Sequence, residues 1–229
     1  VLPCNGLTYA GPHNCACYPE AKLFGMNALA AKARHPLPAP LAEEARLEKG
    51  PAYDMKSEAA DANDWPTYRH DPQRSSYTKQ ALVKDMSNSW EVKLGGRLSA
   101  PIVAGGKLFV SQVETHTVFA FDTATGKEAW HFVAGSRVDS PPTWFEGRVI
   151  FGCMDGSVYA LRASDGALAW RFHAAPSDVR QMAFEQLESV WPVHGSVLVE
   201  KGIVSFVCGR SCFLDGGMKF FRLDAKTGK

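Results

Sequence analysis

No stretch of this 229-residue chain is apolar for the roughly 20 residues that a membrane-spanning helix requires. Excess charge is lacking too: 25 Lys and Arg against 24 Asp and Glu leave a net charge of +1. That balance argues against nucleic acid or an anionic membrane surface as the main partner, since either favours a basic patch. Cysteine is sparse, and Cys4, Cys15, Cys17, Cys153, Cys208 and Cys212 form neither Cys-x-x-Cys nor Cys-x-x-Cys-His. A zinc ribbon and a covalent c-type haem are therefore unsupported. Six cysteines are too few for a disulfide scaffold in a chain of this length, though they suit an oxidising compartment. No signal peptide is visible, and Val1-Leu2-Pro3 reads like the inside of a domain. What remains is 45% hydrophobic, enough for the core of one large all-β domain.

The material that is present repeats. Trp90, Trp130 and Trp170 stand 40 residues apart, and Gly126 and Gly166 keep the same interval. Around them runs Phe119-Ala-Phe-Asp-Thr-Ala-Thr-Gly-Lys-Glu-Ala-Trp130-His-Phe132, which reads as a strand, an Asp-to-Gly turn and a second strand carrying the Trp. A second glycine marks each unit: Gly106, Gly147 and Gly202 precede short strands at Lys107–Ser111, Arg148–Gly152 and Ile203–Val207. The first full unit thus holds four strands, at Ser99–Ala104, Lys107–Ser111, Thr117–Asp122 and Lys127–Phe132. Four short antiparallel strands at a 40-residue period predict an all-β chain of β-propeller blades. Helical and leucine-rich repeats of similar period fail, because these units are β-branched and aromatic at period two.

The pattern divides the chain into three. Residues 1–34 read as the tail of a preceding blade, with a turn at Asn5-Gly6, a strand at Leu7–Ala10 and a degraded repeat after Leu23. Residues 35–62 read as a Pro-, Ala- and acid-rich linker, solvated, with a short helix over Leu41–Lys49 ended by Gly50 and Pro51. Residues 63–229 carry the repeats. About two complete blades with partial ones at either end are expected of a segment of a longer polypeptide, since propellers close with four to eight.

Ala120-Phe-Asp122-Thr-Ala-Thr125-Gly126-Lys-Glu-Ala-Trp130 resembles the Ala-x-Asp-x-x-Thr-Gly-x-x-x-Trp docking motif of the pyrroloquinoline-quinone (PQQ) repeat. That repeat occurs in quinoprotein dehydrogenases and in the propeller lipoprotein of the outer-membrane assembly machinery. The second copy keeps Ala160, Gly166 and Trp170 but has Arg162 and Asp165 where the motif has Asp and Thr. The third keeps Asp224, Thr227 and Gly228 and has Arg222 for the Ala. Asp64-Trp65-Pro66 with Arg74-Ser75 is similar to the segment that leads into the first blade of such proteins. WD40 repeats match less well, because no Gly-His or Trp-Asp pair occurs. The resemblance implies that the Trp wedges between neighbouring blades, a packing device that speaks for fold rather than chemistry.

Function is therefore sought where the repeat is broken. From hairpin Gly to turn Gly is 20 and 19 residues in the first two full units and 26 in the third. The extra length lies at Pro12–Glu20 in the N-terminal piece and at Arg210–Gly216 in the third unit. A further insertion follows Trp170, where Ser177–Glu188 reads as a helix capped by Ser177. Loops between the second and third strands and between blades leave a blade on the same side, so the insertions gather on one face.

Three readings of Cys4, His13, Cys15 and Cys17 stay open: a disulfide from Cys4 to Cys15 or Cys17, which is the expectation, buried free thiols, or a thiolate–imidazole site for zinc or cuprous copper. Cys208 and Cys212 flank an insertion and either bridge it or are buried thiols. Arg97, Arg137 and Asp139 precede innermost strands, with Trp191 and His194 near the corresponding place in the third unit. In the resembling quinoproteins that position holds PQQ between a Trp and a cysteine pair, with calcium bound by carboxylates and an Asn. This chain has no adjacent Cys-Cys pair. The expectation is a non-catalytic binding or scaffold propeller without a cofactor, acting outside the cytoplasm, in the periplasm or extracellularly, on a protein or small-molecule partner. The alternative is part of a PQQ- and calcium-dependent dehydrogenase of alcohols or sugars.

Overall fold

The computed structural model describes residues 1–12, 26–30, 38–81 and 89–229. Among them stand seventeen strands and no α-helix, and no helix is long and apolar enough to cross a membrane. β1 (Leu2–Cys4), β2 (Leu7–Ala10) and β3 (Asn27–Ala30) form a three-stranded antiparallel sheet at the N-terminus. β4 (Leu47–Lys49) lies apart from it. The first full blade is β5 (Ile102–Ala104), β6 (Lys107–Gln112), β7 (Thr117–Asp122) and β8 (Glu128–Val133), paired in sequence order. The second is β9 (Thr143–Phe145), β10 (Arg148–Gly152), β11 (Ser157–Arg162) and β12 (Leu168–His173), with β4 added outside β12. A two-stranded hairpin, β13 (Arg180–Ala183) and β14 (Gln186–Ser189), precedes the third blade, β15 (Leu198–Glu200), β16 (Ile203–Cys208) and β17 (Lys219–Asp224).

Blade two is flanked on both faces, so its two middle strands are buried at nearly every position: all five residues of β10 and the first five of β11. In the third blade β16 alternates between half-buried and buried residues, as a strand with one covered face does. Two apolar clusters fill the gaps. One, between the first two blades, centres on Phe109, Trp130, Trp144 and Phe151. The other, between the second and third, centres on Ile150, Trp170, Val204 and Phe206.

Each Trp of the period reaches the turn of the next blade. Trp90, Trp130 and Trp170 donate their indole N–H to Thr123 O (2.8 Å), Ala163 O (2.9 Å) and Ala225 O (3.2 Å). Their rings lie over Gly126, Gly166 and Gly228, where any Cβ would meet ring atoms within 2.9 Å. A register shift after Ala120 in β7 and again after Ala160 in β11 sits opposite the Trp of the partner strand. Such a bulge bends a strand and re-aims the side chain beside it. Turn chemistry follows the residues available. Asp122 Oδ1 accepts the Thr125 N–H and hydroxyl, both at 2.8 Å, and the hydroxyl bond holds its carboxyl below the usual range. Asp224 does the same for Thr227. In the second copy, Arg162 and Asp165 replace that bond with an ion pair.

Two local expectations are overturned. Leu41–Lys49 is not a helix: a single 3-10 turn at Glu43–Ala45 leads into β4, which pairs antiparallel with β12. The open edge of β12 supplies unpaired backbone groups, and satisfying them outweighs the helix propensity of the segment. Buried Arg46 completes the join by donating to the carbonyls of His173 and Ala174 at 3.0 and 3.2 Å. Gly50 then passes so close to β12 that a Cβ would lie 2.1 Å from Leu168 O. Described residues 47–55 are thus docked along blade two, with Ala52 buried against it, while Glu48, Lys49, Pro51 and Asp54 stay exposed. Ser177–Glu188 is likewise not a helix but holds most of the hairpin β13–β14. Its turn is made by Phe184 and Glu185 at φ of 51° and 64°, so the glycine that signals such a turn is missing from the sequence.

Candidate functional site: the insertion face

The inserted hairpin does not stand free. Gln181 and Glu188, opposite each other across it, point inward, while Met182 and Leu187, the next opposed pair, are exposed. Glu188 is entirely buried, and both its carboxylate oxygens accept from Arg137 Nη2, at 3.1 and 2.9 Å. Arg210, from the loop between β16 and β17, approaches the same carboxylate at 3.2 Å. A buried carboxylate between two guanidiniums is costly to desolvate, yet removing either partner leaves an uncompensated charge, so the group acts as a lock.

Neutral bonds extend the lock to all three blades. The Ser189 N–H donates to Met154 O (2.7 Å) in the second blade, and Ser136 Oγ to Leu187 O (2.9 Å). Gln186 reaches the β6–β7 loop of the first, pairing with His116 Nε2 (2.7 Å) and donating to Glu114 O (3.2 Å). Trp191 donates its indole N–H to Asp215 O (2.6 Å) in the third-blade insertion. The Arg137 guanidinium also lies 4.6 Å over the Phe184 ring. Outward, Met182, Phe184 and Leu187 of the hairpin and Phe213, Leu214 and Met218 of the loop are each more than 40% exposed, beside the exposed charges of Arg180, Glu185 and Asp215.

Of the five residues expected near the innermost strands, the structure brings Arg137 and Trp191 into this cluster. Asp139 and His194 form a separate pair at 3.7 Å. Arg97 pairs with Glu114 at the surface (3.1 Å). Cys208 and Cys212 do not bridge: both are free, Cys208 donating to Trp191 O (3.1 Å) and Cys212 lying 3.7 Å from Met218 Sδ. Burial pushes the Cys208 thiol up to about 12, and that of Cys153 well above its usual range. Cys4 is free and exposed, while His13, Cys15 and Cys17 lie outside the described residues.

The donors here do not suit the quinone and calcium of the resembling dehydrogenases. Among the described residues no three His, Cys, Asp or Glu side chains converge to hold a metal. Arg137, the buried cation of this cluster, is committed to Glu188, and no vicinal cysteines accompany Trp191.

Sequence reasoning missed two cavities, because each is assembled from distant stretches. Asp64–Arg74 lies along the innermost strands of all three blades. Trp65 pairs with Val103, the Trp144 backbone N–H donates to Pro66 O (2.7 Å), Thr67 Oγ1 meets Thr143 Oγ1 (2.9 Å), and Arg74 reaches Val197 O (3.4 Å). Between this segment, β9 and β15 opens a cleft of about 430 Å³. A smaller polar recess of about 270 Å³ lies beside β12, lined by Asp155, Arg171, His173 and Arg180. There burial, followed by the neighbouring Arg171 charge, pushes the His173 imidazole down, and Tyr159 donates to Asp155 at 2.5 Å. A signal existed only for the first cavity, in the Asp-Trp-Pro lead-in.

The sheet order, the recurrent turn and the interblade indoles together define an arc of a β-propeller built from PQQ-type repeats. The family model described as outer membrane protein assembly factor BamB matches residues 80–229, and the chain belongs to that family. It is 26% identical over 208 residues to the quinohemoprotein alcohol dehydrogenase of Comamonas testosteroni, covering 82% of this chain and 27% of that protein. To the outer membrane protein assembly factor BamB of Xanthomonas campestris pv. campestris it is 33% identical over 81 residues, 31% of this chain and 20% of that protein. Its fold superposes on a europium-containing methanol dehydrogenase with a TM-score of 0.56 at 17% identity, covering 74% of this chain and 31% of that one. The chain spans about a quarter of the length of the Comamonas enzyme and similar relatives.

Proposed function

We propose that this chain is part of a non-catalytic binding or scaffold propeller that acts outside the cytoplasm and engages a protein partner through its insertion face. One observation carries the reading: six large apolar side chains are presented together on two insertions that are themselves fixed by the buried Glu188 lock. Large apolar side chains exposed on loops that a rigid scaffold holds in place suit protein association. A dehydrogenase reading is favoured by the 26% identity to the Comamonas enzyme over most of the chain. Under that reading, PQQ and calcium would supply the redox chemistry and draw their ligands from residues other than those of the Glu188 cluster.

The two readings part on one titration. Purified protein is mixed with PQQ and calcium at micromolar concentration and assayed for quinone absorbance changes and dye-linked oxidation of alcohols and sugars. The binding reading expects neither, together with a periplasmic protein retained by the wild type and lost with a Leu187→Ser, Phe213→Ser variant of unchanged stability. Cofactor-dependent turnover overturns it.

A further inference from the structure

The polar recess beside β12 forms where four stretches of chain meet: the segment leading into β4, the loop into β11, the end of β12 and the base of the inserted hairpin. Backbone bonds fix its walls. The Leu41 N–H donates to Pro176 O (2.7 Å), and those of Ala174 and Ala175 both donate to Gly156 O (2.9 Å). At about 270 Å³ it falls just below the roughly 300–1,000 Å³ of common small-molecule clefts, which suits a ligand of one ring.

Every charge lining the recess already has a partner. Arg171 pairs with Glu48 (2.5 Å) and Arg180 with Asp178 (2.8 Å). Asp155 accepts from the Ser157 N–H (2.9 Å) and from the Tyr159 hydroxyl. Burial, and then the Arg171 charge, push the His173 imidazole down, so it is neutral near pH 7. An entering ion of either sign would find no unpaired countercharge. Hydrogen-bonding capacity, by contrast, is left over. Ser177 lines the recess and is only 7% exposed, and its hydroxyl has no partner among the described residues. A polar group buried to that degree costs stability until something bonds it. His173 Nδ1 meets Ser157 Oγ (3.3 Å), while Nε2 stands 3.9 Å from Glu48, too far for a hydrogen bond. Arg180 uses only Nε on Asp178, which leaves its terminal nitrogens and the second Asp178 oxygen available.

We infer that this recess binds a neutral polyhydroxylated ring of monosaccharide size, with Ser177, His173 and Arg180 bonding its hydroxyls and Leu41 and Ala175 against its C–H face. Unused donors and acceptors stand side by side here, and a hydroxyl group both donates and accepts. An alkyl ring of the same size would leave them unbonded, which a site of this kind penalises. No residue lining the recess belongs to the Glu188 lock, and binding here needs neither a redox cofactor nor a partner on the insertion face.

The probes are D-glucose, D-galactose and myo-inositol, titrated into the full chain and followed by ligand-observed NMR, beside cyclohexanol, D-glucuronate and protonated D-glucosamine. At least one of the three polyols binds with a Kd of about 1 mM or below. Cyclohexanol, with one hydroxyl on a similar ring, binds at least about tenfold more weakly, and neither charged sugar binds more tightly than D-glucose. Ser177→Ala removes a hydroxyl that has no partner in the protein, so urea unfolding is unchanged while the affinity for the polyol falls about three- to tenfold. The Leu187→Ser, Phe213→Ser variant keeps that affinity, which separates this site from the proposed partner surface. No polyol binding up to about 10 mM, cyclohexanol binding as tightly as the polyols, a charged sugar binding more tightly than D-glucose, or an unchanged affinity in Ser177→Ala overturns the inference.

Discussion

Gly166→Ala isolates the contribution of the interblade indole. Gly166 has φ of +74°, and a Cβ there would lie 2.7 Å from Trp130 Cε3 and 2.8 Å from Cδ2. Gly106 has a similar φ of +71° and nothing within 4 Å of the same added atom. The left-handed conformation costs an alanine roughly 1 kcal/mol at either site. Only at Gly166 must the buried indole also move. Displacing a packed ring costs about 1–3 kcal/mol, and losing its N–H bond to Ala163 about 1 kcal/mol more. Gly166→Ala is therefore expected to destabilise by about 3–5 kcal/mol and Gly106→Ala by about 1 kcal/mol. Urea unfolding followed by tryptophan fluorescence measures both, with the m-value checking that the transition is unchanged. Equal costs at the two sites would refute the reasoning, because the ring would then contribute nothing at this joint.

Glu188→Gln leaves Arg137 buried without an anion and should cost about 3–5 kcal/mol, with faster protease nicking between residues 178 and 190. An Arg137→Met, Glu188→Leu pair should recover most of that loss. Glu185→Gly relieves a φ of +64° and is expected to raise the midpoint of thermal unfolding, by roughly 0.5–1 kcal/mol of stability. Exposed Cys212 should react with a thiol reagent at pH 8, while Cys208, with its pKa near 12, is a thiolate only about one part in ten thousand and should react on unfolding. Fast labelling of Cys208 in native protein would contradict its burial. The Asp122 carboxyl is depressed in the folded state, so its contribution is present above its unfolded pKa of about 3.9 and lost as pH falls through the lower folded value. Asp122→Asn should accordingly flatten the acid limb of the stability–pH curve.

The sheets were legible because their signals are local. Gly106, Gly147 and Gly202 mark hairpins, and the strands after them begin at the expected residues Lys107, Arg148 and Ile203. The segments misread owe their structure to tertiary contacts. Leu47–Lys49 is extended because the edge of β12 is open, which no window of ten residues reports. Hairpin β13–β14 carries Phe184 and Glu185 where Asn-Gly is normal, and Ser177 at its start resembles a helix cap. The insertion face was found because breaks in the repeat are visible in the spacing. Glu188 was overlooked as its anchor because its partners are 51 and 22 positions away. The cleft was overlooked because its rim gathers Asp61, Asp64 and Glu200 from two stretches more than 130 positions apart.

The same separation bears on how the molecule divides its work. The indole joints over Gly126, Gly166 and Gly228 lie at the turns that close the outer strands, and the acidic cleft lies beside the turns that follow the innermost ones. The hairpin lock is reached from the other ends of those strands, through Arg137 before β9 and Arg210 after β16. None of the residues of the lock lines the cleft. Well-separated sites with no shared partners contribute additively, within about 0.5 kcal/mol. An Asp61→Asn, Asp64→Asn, Glu200→Gln variant of the cleft rim and the Leu187→Ser, Phe213→Ser variant should then combine with no coupling in urea unfolding. Measured coupling above about 1 kcal/mol would mean that the lead-in segment, which touches all three blades, transmits strain between the two faces.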